Sequence, residues 1–479
     1  MSPSIYDVNF YEIQLVVLAS ICAVALLADR YVSKQKRQHK ANASADERLE
    51  SGKAGHSEGA LAALTRKYLL VYAIVMGADW LQGPYVYSLY REQYEFPERL
   101  VAVLFVTGFV SAGFAAPLVG VWADQHGRRK LCLVFCITYG LACLCITIPS
   151  LPTLLFGRVL GGISTSILFS AFESWVISAA NSAALPSGDI STIMGRATLV
   201  NGFVATGAGV VSNQLVASTG NYVSPFIASG LLLAVAWVII RGTWSENYGG
   251  GGGQADNDPL QIKRLGQAWA IVRNNPLLLV LGLTQTCFEG SMYLFVFLWV
   301  PSLQERKWQS GPLPLGYIFS AFMISMMLGS LVYTAIVSYS QRTRGGDSQL
   351  TLHAKLSSLV CAVSALALAT AVTSPYEHTR FWAFCVFEAC VGMYYPVQGT
   401  LRGTLISNEH RATLSSLFRV PLNIFVVVSL ITGVSDARRA VLTASALMLA
   451  FSSLMTGVVI VDRAEESSGS SNGVANGHH

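Results

Sequence analysis

The chain has 479 residues, of which 52% are hydrophobic and 12% are charged, and its formal net charge is +5. This charged fraction is about half of the value in soluble globular chains, and the apolar residues come in long runs, which excludes a soluble main body. A nucleic-acid partner is excluded as well, because binding would need a soluble basic face and the cations lie in short segments between the apolar runs.

Thirteen apolar segments of the chain are long enough to cross a hydrocarbon core of about 30 Å as helices. The first segment lacks the basic flank of a signal peptide and carries Asp7 and Glu12, so we expect it to be a helix of the mature protein. The sequence predicts an all-α polytopic membrane protein with one helix ahead of a twelve-helix body. The segments cover roughly residues 12–29, 66–89, 100–122, 131–149, 153–177, 196–218, 221–240, 277–300, 313–338, 355–373, 380–400, 413–433 and 440–460.

Hydrophilic stretches divide the twelve-helix body into two halves of six helices. The stretch between the halves contains five consecutive glycines, which is typical of a flexible linker, and then a short predicted surface helix. The expected units are an extra helix at 1–29, a mostly disordered cytoplasmic loop at 30–65, an N-terminal half at 66–241, a cytoplasmic linker at 242–276, a C-terminal half at 277–461 and a disordered tail at 462–479.

The distribution of lysine and arginine predicts the orientation. If the loop between the second and third body helices faces the cytoplasm, 23 of these cations lie inside and 7 outside, while Arg158 and Arg419 lie within helices. We therefore expect an external N-terminus and a cytoplasmic C-terminus. No lipidation or retention signal is evident, so we expect the protein to lie in the bilayer of the plasma membrane. We also expect it to be a monomer.

The cysteines and the known catalytic motifs give no indication of an enzyme. All nine cysteines fall inside apolar segments, with no CxxC pair and no spacing suited to zinc. The sequence contains no Walker motif, dinucleotide-binding turn, HExxH motif or nucleophile elbow. We expect no metal, no cofactor and no catalysis, and any transport must be driven by gradients.

The stretch from Gly120 to Lys130 joins two apolar segments by a short turn that contains glycines, an acid and three cations. It resembles the loop between the second and third helices of major facilitator transporters, although Gln125 replaces the usual cation. The resemblance implies two six-helix halves and a conformational latch on the cytoplasmic side. The expected gate residues are Gly120, Asp124, Gly127, Arg128, Arg129, Glu173 and Arg196.

The two halves look like distant copies of each other. Arg158-Val-Leu-Gly-Gly162 in the fourth body helix aligns with Glu388-Ala-Cys-Val-Gly392 in the tenth. Transporters built from such repeats commonly bind substrate between them at mid-membrane.

Charged side chains inside a bilayer cost several kcal/mol unless they are paired or hydrated, so they mark candidate sites. Asp79 lies roughly 20 Å along its helix, near mid-membrane, and the following Gly83-Pro84 can kink that helix. For each such residue an ion pair that serves only packing is the alternative. The set comprises Asp79, Arg158, Glu173, Glu289, Glu388 and Arg419.

Four longer strings are similar to the eukaryotic molybdate-anion transporter family: 78–90, 157–175, 295–299 and 418–421. The resemblance implies uptake of molybdate, a tetrahedral dianion that needs cations and neutral donors. The expected substrate ligands are Arg158, Arg419, Asn201, Gln285, Asn423, Tyr85 and Tyr395. Carboxylates would repel a dianion unless they are protonated or paired, so Asp79, Glu289 and Glu388 are expected to couple protons or pair with arginine.

Two other functions remain open at this point. The carrier could move another anion or an organic solute, because mid-membrane acids also suit a cationic compound. Alternatively, the protein could be a sensor or scaffold that transports nothing and signals through residues 30–65 and 241–276.

Overall fold

The computed structural model of the chain describes residues 5–43, 54–185, 187–248, 269–304, 313–340, 348–406, 411–432 and 438–463. These residues are almost entirely helical, which confirms the predicted all-α class. The helices are α1 Ile5–Ala43, α2 Ala54–Gln82, α3 Val86–Ser88, α4 Glu98–His126, α5 Arg128–Cys145, α6 Leu151–Leu168, α7 Ala171–Ser182, α8 Ser187–Thr219, α9 Ser224–Thr243, α10 Pro276–Gln304, α11 Leu315–Ser340, α12 Gln349–Thr373, α13 Glu377–Leu405, α14 Arg411–Thr432 and α15 Arg438–Met455. π-Helical turns follow α3 at Leu89–Gln93 and α15 at Thr456–Val461.

Ten helical stretches in the described part of the chain are long and apolar enough to cross a membrane. The other three predicted segments coincide with α5, α13 and α14. The first turn of α5 carries three cations, and α13 carries several charged residues, which lowers their mean hydropathy. A polytopic protein is therefore confirmed, whereas the count of thirteen spans stays a prediction.

Helix extends into the segment that was predicted to be a disordered loop. α1 continues to Ala43 and α2 begins at Ala54. Residues 30–43 are rich in alanine, lysine, arginine and glutamine, which all favour helix and explain why α1 continues past residue 29. Residues 44–53, the linker residues 249–268 and the tail 464–479 lie outside the described residues.

The turn predicted within 120–130 is reduced to one residue. α4 runs to His126 and α5 begins at Arg128, so only Gly127 separates them. Its φ of 101° lies in the region that favours glycine, which explains why a glycine stands at this position. Gly120 and Asp124 lie within α4, and their side-chain environments fall outside the described residues.

The fourth body helix, predicted to be continuous over 153–177, is broken between α6 and α7. Ser166 Oγ donates to the carbonyl oxygens of Ala112 and Gly162, at 2.8 and 3.3 Å. Ser170 Oγ donates to the Ser166 carbonyl oxygen at 2.8 Å. Such bonds from serine to the preceding turn compete with the backbone ladder and bend helices. An unbroken helix would place Phe169 and Glu173 on the face of Arg158, whereas the break leaves both side chains exposed.

The helices pair in the same way in both halves, α2–α9 and α10–α15. In the N-terminal half, α2 packs on α8 and α9, α4 on α6, and α5 on α6 and α9. In the C-terminal half, α10 packs on α14 and α15, α11 on α13, and α12 on α13 and α15. Between the halves, α4 contacts α14 and α8 contacts α11, while the extra helix α1 packs on α11.

Two glycines occupy equivalent positions in this repeat. A Cβ atom on Gly162 of α6 would collide with the Gly108 carbonyl of α4, and one on Gly392 of α13 would collide with the Met326 carbonyl of α11. Close backbone approach at small residues is the usual way that membrane helices pack. The contacts support the sequence alignment of the two motifs, which places Arg158 and Glu388 at equivalent positions.

Replacing Gly392 by leucine is expected to destabilise the C-terminal half by more than about 2 kcal/mol, because the side chain has no space against α11. The fraction of monodisperse protein after detergent extraction measures the effect. Gly399→Leu is the matched control on the same helix, because nothing lies within 4 Å of a Cβ atom there. Equal yields of the two variants would contradict the packing role of Gly392.

Among the described side chains, the buried apolar clusters connect the two halves at one end of the molecule. At the end that carries α3, one buried cluster contains residues of both halves, with the Phe297 ring edge-on to Tyr87 and Phe105 at 5.5 and 4.9 Å. At the end that carries Gly127, each half has a buried cluster of its own. Among the described side chains, the buried clusters of the two halves are therefore joined at the α3 end and separate at the Gly127 end.

An ion pair and a hydrogen bond also join the halves at the α3 end. Arg438 Nη2 lies 2.9 Å from Glu98 Oε2, and Tyr87 donates to the other Glu98 oxygen at 3.2 Å. Gln304 Nε2 donates to Glu92 Oε1 at 2.8 Å. These polar contacts close this end of the molecule.

Candidate functional site

A cavity of about 130 Å³ lies inside the N-terminal half, among α2, the π-helical turn, α4, α5 and α6. Small residues make room for it, since four glycines and two alanines lie in its wall. Its polar side chains come from four different elements. They are Gln82, Tyr90, Tyr139, Arg158 and Thr165.

Arg158 supplies the positive charge of this cavity. Its Nε donates to the Leu104 carbonyl oxygen at 3.0 Å, and its guanidinium lies over the Phe105 ring at 5.2 Å. Among the described residues, no carboxylate lies within ion-pair distance of Arg158. A guanidinium within the membrane body and without a carboxylate is costly unless water or another anion balances its charge.

Asp79 is connected to the wall of the cavity through a tyrosine. The Tyr139 hydroxyl donates to Asp79 Oδ1 at 2.6 Å, and the Tyr139 ring is itself part of the wall. Gln82, one turn after Asp79 on α2, donates to Ser229 Oγ at 2.9 Å. The hydrogen-bond partner of Asp79 is thus a neutral hydroxyl group and not the Arg158 guanidinium. This arrangement differs from the alternative interpretation, in which Asp79 forms an ion pair that serves only packing.

A second polar cluster lies in the C-terminal half. Glu289 accepts from Tyr394 and Gln285, both at 3.4 Å, and Arg402 donates to Gln285 Oε1 at 3.5 Å. Here a buried acid and a cation share neighbours, so the cluster balances much of its own charge. Gln285 and Arg158, which the sequence assigned to one site, therefore lie in different clusters.

Most of the chain is similar to known membrane transporters. A family model described as sugar transporters with 12 TM matches residues 43–377. The molybdate-anion transporter of Danio rerio is 31% identical over 445 residues, which is 87% of this chain and 86% of that protein. The molybdate-anion transporter of Xenopus tropicalis is 32% identical over 75% of this chain and 76% of its own length. The chain belongs to the molybdate-anion transporter family.

Solved structures confirm the major facilitator fold for this member of the family. A mutant of the nucleoside transporter NupG matches 82% of the chain and 99% of its own length, with a TM-score of 0.65 and 12% identity. An autoinhibited POT family peptide transporter matches with a TM-score of 0.60 and 12% identity, over 82% of this chain and 96% of its own. At this identity the likeness shows the fold alone.

The remaining predicted ligands lie at several places in this family member. Asn201 accepts from the Trp80 indole at 2.8 Å, and Tyr85 donates to Asn213 at 3.0 Å, so both have partners inside the protein. Asn423 approaches Gly113 where α14 contacts α4. Tyr395 is partly exposed, with its hydroxyl 3.2 Å from the Met292 sulfur. Arg419 lies in α14, but its side chain is outside the described residues.

The N-terminus of α5 is held by an acid that the sequence analysis did not single out. Glu246, just after α9, accepts from the backbone amides of Arg129 and Lys130 at 2.8 and 3.2 Å. Its carboxylate packs against Gly127. A carboxylate at a helix N-terminus is favourable because it satisfies free amides and interacts with the helix dipole.

The other predicted gate residues have varied surroundings. Arg128 donates to the Ser174 carbonyl oxygen at 3.1 Å, which ties α5 to α7. Arg129 donates to the Arg241 carbonyl oxygen at 2.6 Å. Glu173 and Arg196 are both exposed. A latch role for this group stays a prediction.

Glu246→Ala is expected to lower the free energy of unfolding by about 1–2 kcal/mol, because two amides in the first turn of α5 lose their acceptor. The thermal unfolding midpoint of the purified protein measures the change. Glu173→Ala is the matched control, because it removes an exposed acid from the same end of the protein. A midpoint unchanged by Glu246→Ala would contradict the capping role.

Sequence reasoning selected Arg158 and Asp79 as candidates but missed Tyr139, which bonds to Asp79 and lines the same cavity as Arg158. Tyr139 lies in an apolar run that gives no polar signal, so its contact with Asp79 depends on how α5 packs near α2. Helical spacing alone would place Tyr90 on the face of Asp79, but α2 ends at Gln82 and the chain changes direction before Tyr90. Glu246 could have been suspected as an acid close after a helix end that faces three cations.

Proposed function

We propose that this chain is a secondary carrier that moves molybdate by alternating access. The observation that carries the proposal is the Arg158 guanidinium, which lines a cavity in the membrane body with no carboxylate partner among the described residues. The volume of about 130 Å³ has room for about four water molecules at about 30 Å³ each. A five-atom oxyanion fits such a space, which is smaller than the usual ligand pocket of about 300 Å³ or more. The names of the relatives support the same substrate.

We propose that the structure is the cytoplasm-facing state. The buried clusters of the described side chains join the halves at the α3 end and are separate at the Gly127 end. The distribution of cations predicts that the Gly127 end faces the cytoplasm. In this orientation the Glu98–Arg438 ion pair closes the external side. Rocking of the halves would break this pair and expose the cavity to the other side.

We propose that protons drive the uptake and that Asp79 is the coupling acid. Tyr139 lines the cavity and donates a hydrogen bond to the Asp79 carboxylate. Protonation of Asp79 and binding of an anion in the cavity can therefore influence each other through this tyrosine. A protonated Asp79 would remove a negative charge close to the dianion. Glu289 and Glu388 remain secondary candidates for the same role.

The site of action that we propose is the plasma membrane, with a monomer, an external N-terminus and a cytoplasmic C-terminus. The excess of cations on one side supports the orientation. Labelling of single cysteines introduced at positions 3 and 470 in intact cells tests it. Labelling at 470 but not at 3 would overturn the orientation.

The experiment that tests the proposed function is uptake of radiolabelled molybdate into liposomes that contain the purified protein, with and without an imposed pH gradient. We expect saturable uptake that an inward proton gradient stimulates. Competition by sulfate and by a panel of organic cations separates an oxyanion site from a site for another solute. A protein that moves no labelled molybdate would contradict the proposal and favour a sensor or scaffold.

A further inference from the structure

We propose that the Tyr90 hydroxyl is a direct substrate ligand, which donates a hydrogen bond to the oxyanion that Arg158 holds. The inference rests on the proposed function and deepens it, because it names a second ligand and places the site within the N-terminal half. Tyr90 is not among the residues that sequence reasoning assigned to the substrate.

The evidence begins with the position of the hydroxyl group. Tyr90 is 0% exposed, and its side chain lines the same cavity as Arg158. The Arg158 guanidinium lies close enough to interact with its oxygen, but a guanidinium can only donate, so the hydroxyl proton has no acceptor among the described residues. Several buried polar side-chain atoms of the described residues make no hydrogen bond that meets normal geometry. Among them, the Tyr90 hydroxyl is the one that lines this cavity.

Neighbouring tyrosines show that a partner is the rule in this region. Tyr139 donates to Asp79 at 2.6 Å, Tyr85 to Asn213 at 3.0 Å, and Tyr94 to the Ile146 carbonyl oxygen at 2.7 Å. A buried hydroxyl whose proton has no acceptor destabilises a protein, so it needs an explanation. Phenylalanine would fill the same space at Tyr90 without this cost. A ligand that accepts the hydrogen bond explains why a tyrosine stands there.

The backbone turns Tyr90 into the cavity by a local departure from the α-helix. α2 ends before Gly83-Pro84, and the chain then passes through one short helical turn into the π-helical turn Leu89–Gln93. The wider turn is fixed by the Tyr94 amide, which donates to the Leu89 carbonyl oxygen at 2.9 Å. Single π-helical turns are frequent at functional sites.

The chemistry of the two groups selects the ligand. A guanidinium and a phenol are both hydrogen-bond donors, and the guanidinium brings a positive charge. Together they suit an anion whose oxygens only accept, such as molybdate or another tetrahedral dianion. A neutral donor adds binding without adding charge, so release of the anion on the other side of the membrane remains possible.

The test compares Tyr90→Phe with Tyr94→Phe in the full-length protein. Tyr94→Phe is the matched control, because it removes a hydroxyl of the same segment that donates to a carbonyl oxygen. Initial rates of molybdate uptake into liposomes give KM and kcat, and thermal unfolding of the purified protein with and without molybdate reports binding separately from transport.

We expect Tyr90→Phe to raise KM for molybdate about tenfold or more, and to reduce the stabilisation by molybdate, while the unfolding midpoint without ligand stays equal or rises. Tyr94→Phe should leave KM unchanged and lower the midpoint. An unchanged KM in Tyr90→Phe, with normal uptake by the unmodified protein, would overturn this inference and leave the proposed function intact. Absence of uptake and of stabilisation in the unmodified protein would overturn the proposed function itself.

Discussion

Arg158→Gln is expected to reduce molybdate uptake at low concentration by about 100-fold. The substitution removes the positive charge of the cavity and the paired donors, and charge-assisted hydrogen bonds contribute about 1.5–3 kcal/mol each. Glutamine keeps a hydrogen-bond donor and much of the length of the side chain, so we expect the packing to survive. The main structural loss is the hydrogen bond from Arg158 Nε to the Leu104 carbonyl oxygen. Initial uptake rates, normalised to protein in the membrane, measure the effect.

Two variants control this result. Arg158→Lys keeps the charge but loses the planar fork, so it should retain part of the uptake. Arg402→Gln removes the cation of the C-terminal cluster and should have a smaller effect than Arg158→Gln. A larger loss from Arg402→Gln than from Arg158→Gln would move the substrate site to the C-terminal half.

Asp79→Asn is expected to abolish the stimulation of uptake by a proton gradient while downhill flux persists. The asparagine oxygen can still accept from Tyr139, so the local structure should survive. One coupled proton is worth about 1.36 kcal/mol per pH unit, which is about tenfold in accumulation. The accumulation ratio of molybdate with and without the gradient measures this loss directly.

Glu289→Gln and Glu388→Gln serve as controls for the coupling role. Both acids are buried in the C-terminal half, and neither lines the cavity with Arg158. If Asp79 is the coupling acid, both variants should keep the stimulation by the gradient. Stimulation that survives Asp79→Asn and disappears in one of them would assign the role to that acid.

The sequence was sufficient for the fold class, because long apolar runs with few charges have few other solutions in a bilayer. The break of the first body helix at Gly83-Pro84 was predictable from the loss of a backbone donor at proline. The paired motifs at Gly162 and Gly392 also predicted the repeat, since both glycines allow close helix contact in equivalent positions.

The composition of the site was harder to predict, for reasons that lie in packing. Helical spacing would place Phe169 and Glu173 on the face of Arg158, but serine side chains that bond to the preceding turn accompany the end of α6 before Phe169. Periodicity also cannot show which half a polar residue serves. Gln285 was therefore grouped with Arg158, although it bonds to Glu289 and Arg402.

The position of a bound oxyanion tests the central claim most directly. A structure of the protein with tungstate, which has the shape and charge of molybdate and scatters strongly, would locate the metal atom. We expect it in the cavity of the N-terminal half, with its oxygens within hydrogen-bond distance of the Arg158 guanidinium and the Tyr90 hydroxyl. Tungstate bound beside Gln285 and Arg402, with nothing at Arg158, would contradict the account.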